Sequence, residues 1–148
     1  PPFEGVVHVG VKSVFLDQQV SLLDANLSIR DNFLRLNPQA GENACRSALA
    51  RFMFRADAAL QIVATLSGGQ MHRAGLACVL GGPQPPQLLI LDEPTNHLDI
   101  DSIAAVEAGL RAYDGALLVV SHDEAFLAGI GIDRRLELGK SEVRSAPQ

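Results

Sequence analysis

Four apolar residues in a row, Leu88 to Leu91, run straight into two carboxylates, Asp92 and Glu93. A run this short, apolar at every position, fits a strand buried on both faces of a sheet, although periodicity alone leaves a buried helix open. A carboxylate pair at the end of such a strand is costly to bury without a partner. Successive strand residues point to opposite faces, so Asp92 and Glu93 can do different jobs. One can hold a hydrated Mg²⁺ through its waters while the other orients or deprotonates an attacking water. An acidic strand end that caps a neighbouring helix is equally open from these residues alone.

Two further motifs flank that strand. Upstream is Leu66-Ser67-Gly68-Gly69-Gln70; downstream, Ser121-His122-Asp123 follows the apolar run Leu117 to Val120. Ser67 to Gly69 can open a helix from Gln70 to Leu80, presenting backbone N–H groups and a positive dipole end to phosphate. The glycines admit close backbone approach and the Ser67 hydroxyl can add a hydrogen bond. An ordinary serine-capped helix would carry the same letters. His122, at the end of a strand expected to be buried, can hydrogen-bond a phosphate oxygen or a water as a neutral imidazole.

In this order, with 25 residues from Ser67 to Asp92 and 30 from Asp92 to His122, the set resembles the nucleotide-binding domain of ABC ATPases. Leu66 to Gln70 looks like the ABC signature, Leu88 to Pro94 like Walker B, and His122 like the H-switch. Asp99 occupies the D-loop position, and Gln18 in Leu16-Asp17-Gln18 looks like the Q-loop glutamine, with Gln19 beside it as the neighbouring choice. The wording Glu93-Pro94-Thr95-Asn96-His97-Leu98-Asp99 is similar to the ABC-F subfamily of soluble tandem-cassette ATPases. The resemblance runs from about Gly5 to Gly139.

A phosphate-cradling loop would read Gly-x-x-x-x-Gly-Lys-[Ser/Thr] between a strand and a helix. The nearest match, Gly5 to Ser13, carries one inserted residue, and its valines favour a strand. Lys140 follows every motif. The sequence is therefore expected to be an ABC cassette that starts after its Walker A helix. Its end soon after Leu136 to Gly139, with no linker beginning, leads to the expectation that it is the second of a tandem pair.

Composition fits a globular piece of one domain: 148 residues, 47% hydrophobic. No apolar run approaches the roughly 20 residues of a membrane span. A net charge of −5 speaks against broad nucleic-acid binding. Cys45 and Cys78 match no metal-ligand spacing and read as reduced, buried thiols, and the four histidines form no ligand cluster.

The pattern predicts an α/β fold: a partial P-loop NTPase core of ABC type with a mostly parallel sheet (residues 1–22 and 82–148), and a helical signature subdomain (residues 23–81). Gly5 to Val9 and Val11 to Phe15 read as strands. Ser28, with Asp31 three residues on, starts a helix that Asn37-Pro38 stops. Cys45, Ala48, Leu49 and Phe52 form the apolar stripe of another. On the signature helix, Met71, Ala74, Gly75, Cys78 and Val79 form the packing face and His72 faces solvent. After Walker B, Asp101 or Ser102 caps a helix with Ile103, Val106, Leu110 and Tyr113 on one side. Gly115 turns into the strand Ala116 to Val120, Asp123 caps the next helix, and Arg134 to Leu138 is the last strand.

The resemblance implies ATP and Mg²⁺ as cofactors and a second cassette, in the same or a neighbouring chain, as partner. In that scheme Asp92 and Gln18 hold Mg²⁺, and Glu93 polarises the attacking water. His122 and Gln18 sense the γ-phosphate, Ser67 to Gln70 complete the partner's site, and Asp99 contacts the opposite cassette. It further implies a cytoplasmic ATPase acting on the ribosome; the ATP-binding subunit of a membrane transporter and a non-catalytic cassette fragment are the alternatives. A cassette without its P-loop strand would leave an edge of the Leu88–Leu91 strand unpaired and one apolar face uncovered, so self-association is expected.

Overall fold

In the computed structural model, residues 10–138 and 143–147 are described. Three strands, β1 (Ser13–Leu16), β2 (Leu88–Asp92) and β3 (Ala116–Val120), form a parallel sheet in the order β1-β2-β3. The register pairs Leu16 with Leu91 and Asp92 with Val120. The β1–β2 crossover is the long helical segment: α1 (Ile29–Leu36), α2 (Glu42–Arg51), two short 3-10 turns and α3 (Gly68–Leu80). The β2–β3 crossover is α4 (Ile100–Ala112), as parallel strands require a helix to bring the chain back. After α5 (Glu124–Gly129), β4 (Arg134–Leu138) pairs antiparallel with β5 (Val143–Pro147) in a separate two-stranded ribbon. Arg134–Leu138 is thus not the last strand, because β5 follows it. Gly5 to Val9 and Lys140 lie outside the described residues.

The Leu88–Leu91 strand has no open edge: β1 and β3 flank it on both sides. Pairing order is a long-range property, and it overturns the expected unpaired edge. The two faces differ, however. Leu16, Leu89 and Leu91 are buried in the core with Ala74, Leu76, Val106 and Phe126. Burying a leucine is worth about 1.5–3 kcal/mol. On the opposite face Phe15, Leu118 and Val120 stay more than half exposed beside half-buried Leu88 and Ile90. β3 is therefore not the buried strand its sequence suggests.

Local chemistry explains the helices. Ser28 accepts the Asp31 N–H at 3.0 Å and starts α1. Asn37 ends it, and its amide donates to the Phe33 and Cys78 carbonyls, joining α1 to α3. Cys45, Ala48 and Leu49 form the buried stripe of α2. Arg73, on α3, donates to the Phe52 carbonyl at 2.8 Å and lies over the Phe54 ring at 4.6 Å, fastening the end of α2. Both cysteines are free and buried, and burial pushes the Cys78 thiol up to about 12.

Candidate functional site

Parallel strands bring their carboxyl ends to one edge of the sheet, the place where open α/β sheets bind ligands. β1 delivers Asp17 and Gln18 there, β2 delivers Asp92 and Glu93, and β3 delivers Ser121 and His122. Lys12 stands at the other end of β1, where its ammonium donates to the Gln84 carbonyl at 3.1 Å and its N–H to the Gln87 side chain.

Asp92 is the last residue of β2; Glu93 is already off the strand, with a left-handed φ of 48° and its N–H donated to the Val120 carbonyl at 2.8 Å. The two carboxylates are thus separated by a backbone turn and not by simple strand alternation. The Glu93 side chain is 17% exposed, and its Oε1 lies 3.6 Å from Nε2 of His122, whose side chain is 97% exposed. That distance is too long for a hydrogen bond, and it leaves room for His122 to turn toward a ligand. Thr95 donates to the Asp123 carboxylate at 3.2 Å, which ties the turn after β2 to the start of α5.

Ser67 caps α3 in a closed capping box. Its Oγ accepts the Gln70 N–H at 3.2 Å while the Gln70 side chain accepts the Ser67 N–H at 2.9 Å. The Gln70 carbonyl oxygen is therefore spent on the helix start, whereas the Ser67 hydroxyl keeps its proton for donation. Gly68 is exposed, and Gly69 is buried against the turn before α4: a Cβ on Gly69 would stand 2.7 Å from the His97 carbonyl oxygen. His97 itself has a left-handed φ of 66°. Asp99, placed in the D-loop from sequence, is the N-cap of α4 and accepts the Ser102 N–H at 2.8 Å. The cap thus lies N-terminal to the expected Asp101 or Ser102. These hydrogen bonds to Ser102 hold the Asp99 carboxyl below the usual carboxylate range.

His72 departs from its sequence reading: it is 4% exposed, not solvent-facing, and its Nε2 lies 3.0 Å from the Gln18 carbonyl oxygen. Burial pushes its pKa down and favours the neutral imidazole. A sequence signal existed, since His72, Leu76 and Val79 fall at i, i+4 and i+7 of α3. The Gln18 side chain is exposed, and Ser21, through its hydroxyl and N–H, holds the Asp17 carboxyl low beside it.

The donor set fits a hydrated Mg²⁺. Asp92 is half-buried, and among the described residues no hydrogen bond or ion pair engages its carboxylate. No group of three metal-ligating side chains gathers among those residues, and Mg²⁺ needs none, because it keeps several waters and is completed by phosphate oxygens. Asp92 and Gln18 are the residues here that would hold it.

A parallel sheet with helical crossovers and these groups at one strand edge defines an α/β nucleotide-binding cassette of the P-loop NTPase type. The chain belongs to the ABC transporter family, whose model matches residues 4–96, and one of its relatives is named as a member of the F family. It is 37% identical to ABC transporter F family member 3 of Arabidopsis thaliana, with 86% of this chain and 18% of that one aligned. It is 38% identical to the ATP-binding protein YdiF of Bacillus subtilis over 96% of this chain and 22% of that one. An ABC transporter ATP-binding protein of Schizosaccharomyces pombe is 42% identical over 76% of this chain. The chain spans 15% to 22% of the length of these relatives. Among solved structures, an ATP-binding cassette dimer in a post-hydrolysis state with ADP and Pi is 26% identical, with a TM-score of 0.73, covering 92% of this chain and 62% of that one. An archaeal ribosome recycling factor, solved with a ribosomal stalk protein, shares the fold at 21% identity and a TM-score of 0.74, covering 98% of this chain and 29% of that one.

The capping turn at the start of α3 carries a direct test. Gly69→Ala drives a Cβ into backbone of the 97–98 turn, which cannot swing aside as a flexible side chain would. The expected loss of stability is about 1–3 kcal/mol, and chemical denaturation measures it. An unchanged midpoint would show that the two segments are not in contact.

Proposed function

We propose that this chain is part of an ABC-F type cassette that binds ATP with Mg²⁺ and hydrolyses it against a second cassette. The observation that carries the reading is the meeting of Gln18, Asp92, Glu93 and His122 at one sheet edge, with Ser67 to Gln70 on an adjoining helix start. Phosphoryl transfer to water needs positioning and electrostatics more than covalent chemistry. Asp92 and Gln18 would hold the metal, which would polarise the phosphates when bound. Glu93 accepts the proton of the attacking water, and His122 turns to the γ-phosphate. Ser67 and the free N–H groups at the start of α3 face the nucleotide of the opposite cassette, and Asp99 contacts that cassette. The cassette dimer with ADP and Pi supports a second cassette as partner.

The reading extends to action on the ribosome in the cytoplasm, because the wording Glu93 to Asp99 resembles the ABC-F subfamily and one relative is named as an F family member; service to a membrane transporter is the alternative. No helix among the described residues is long and apolar enough to cross a membrane. Residues 23–81, from α1 through α3, act as the signature-bearing subdomain, and residues 1–22 and 82–148 as the ATPase core.

These 148 residues contain no Gly-x-x-x-x-Gly-Lys-[Ser/Thr]. The isolated chain is therefore expected to hydrolyse no ATP above background, while the longer polypeptide carrying it turns over ATP. Turnover by the isolated chain that vanishes in Glu93→Gln would overturn the first expectation. A full-length protein that neither binds nor hydrolyses ATP would overturn the function itself.

A further inference from the structure

We propose that His72 is a positioning residue: the hydrogen bond from its Nε2 to the Gln18 carbonyl fixes where Gln18 stands in the nucleotide site. The proposal rests on the reading of Gln18 as a phosphate- and metal-facing group.

A carbonyl only accepts, so the 3.0 Å contact requires the hydrogen on Nε2. The other ring nitrogen, Nδ1, is then a buried acceptor, and among the described residues it has no partner. An unpaired buried nitrogen is unfavourable, and a leucine would fill the volume without it. What the imidazole adds in exchange is one bond, aimed at the backbone of Gln18.

Independent contacts show that this loop is held against α3 on both sides of Gln18. Gly75, three residues along the helix from His72, has no room for a side chain. A Cβ there would stand 2.6 Å from Val20 Cγ1 and 3.0 Å from Leu16 Cδ1. Val20 is buried in a left-handed conformation, φ 52°, that a β-branched residue adopts only when its surroundings impose it. Asp17 accepts the Ser21 N–H at 2.8 Å and the Ser21 hydroxyl at 2.6 Å, which closes the turn. The backbone at 16–21 is thus pinned while the Gln18 side chain remains exposed. A side-chain amide on a fixed anchor samples few positions, and a displacement of about 1 Å at a reacting centre can cost on the order of 100-fold in rate.

The consequence is a mechanical tie. One helix starts with Ser67, Gly68 and Gly69, which face the opposite cassette's nucleotide, and also carries the anchor for Gln18, which serves this cassette's own. Any shift of α3 moves both.

The test uses the full-length ATPase that carries this cassette, with His72→Leu, His72→Gln and Gln18→Ala. Glutamine reaches about as far as the imidazole and keeps the N–H donor; leucine keeps the bulk alone. For His72→Leu we expect kcat to fall about 10- to 100-fold, ADP affinity to stay within about twofold, and hydrogen exchange of the 17–21 backbone to quicken. His72→Gln should restore wild-type values of all three. Wild-type exchange and kcat in His72→Leu would overturn the proposal. So would equal impairment of both variants with a common drop in melting temperature, which marks a purely structural histidine. If Gln18→Ala turns over ATP like wild type, the assignment of Gln18 fails instead, and the exchange data still report whether the clasp exists.

Discussion

In the full-length protein, Glu93→Gln is expected to lower ATP turnover by about 100- to 10,000-fold, the usual contribution of a positioned general base. The left-handed turn at Glu93 aims its carboxylate away from the strand and leaves it 17% exposed, 3.6 Å from His122. Glutamine matches its shape and carries no charge, so nucleotide and metal contacts should survive and the closed, ATP-bound state should accumulate. Asp92→Asn should behave differently. It removes a carboxylate that no hydrogen bond or ion pair engages among the described residues, and Mg²⁺ affinity should drop before anything else. Rapid filtration of labelled ATP, with and without Mg²⁺, separates the two outcomes. Wild-type turnover in Glu93→Gln would remove it from the catalytic role.

The parts of this architecture fixed by local chemistry were legible in the sequence. Ser28, Ser67 and Asp123 each cap the helix their side chains suggested, and Gly115 turns the chain into β3 at the expected residue. Where several residues offered the same chemistry, the sequence could not choose. Asp99, Asp101 and Ser102 can all cap a helix, and the choice fell to Asp99 after a left-handed residue, His97, that redirects the chain. Glu93 was misjudged for a related reason: the alternation rule holds on a strand, and the backbone leaves the strand one residue earlier.

Long-range packing was the least legible. His72 is buried because the loop after β1 folds over α3, and its spacing with Leu76 and Val79 was a sign of an apolar face but not of what would cover it. The central position of β2 depends on β1 and β3 arriving on either side, more than 20 residues away in sequence. For the candidate site, the roles of Gln18, Ser67 and His122 came from family resemblance. What the fold adds is that the chain segments bearing Gln18, Asp92, Glu93 and His122 end at the same sheet edge.

The uncovered sheet face should govern how the isolated chain behaves in solution. Phe15, Leu118 and Val120 are 57%, 51% and 53% exposed, and register places Phe15, Ile90 and Leu118 side by side across all three strands. Contiguous apolar surface of this kind recruits other chains, and in a pure preparation the available occupant is a second copy. β2 cannot contribute an edge, so face-to-face packing is expected to dominate over strand addition at β2, although the outer edges of β1 and β3 remain open to pairing among the described residues. Light scattering over a dilution series should give a mass that rises with concentration. Phe15→Ser with Leu118→Ser should shift the isolated chain toward monomer, since neither side chain is in the core and the folded state loses little. A persistent monomer at high concentration, with cooperative thermal unfolding, would mean that the face is tolerated in water. Association unchanged by the double substitution would instead assign the contact to the strand edges.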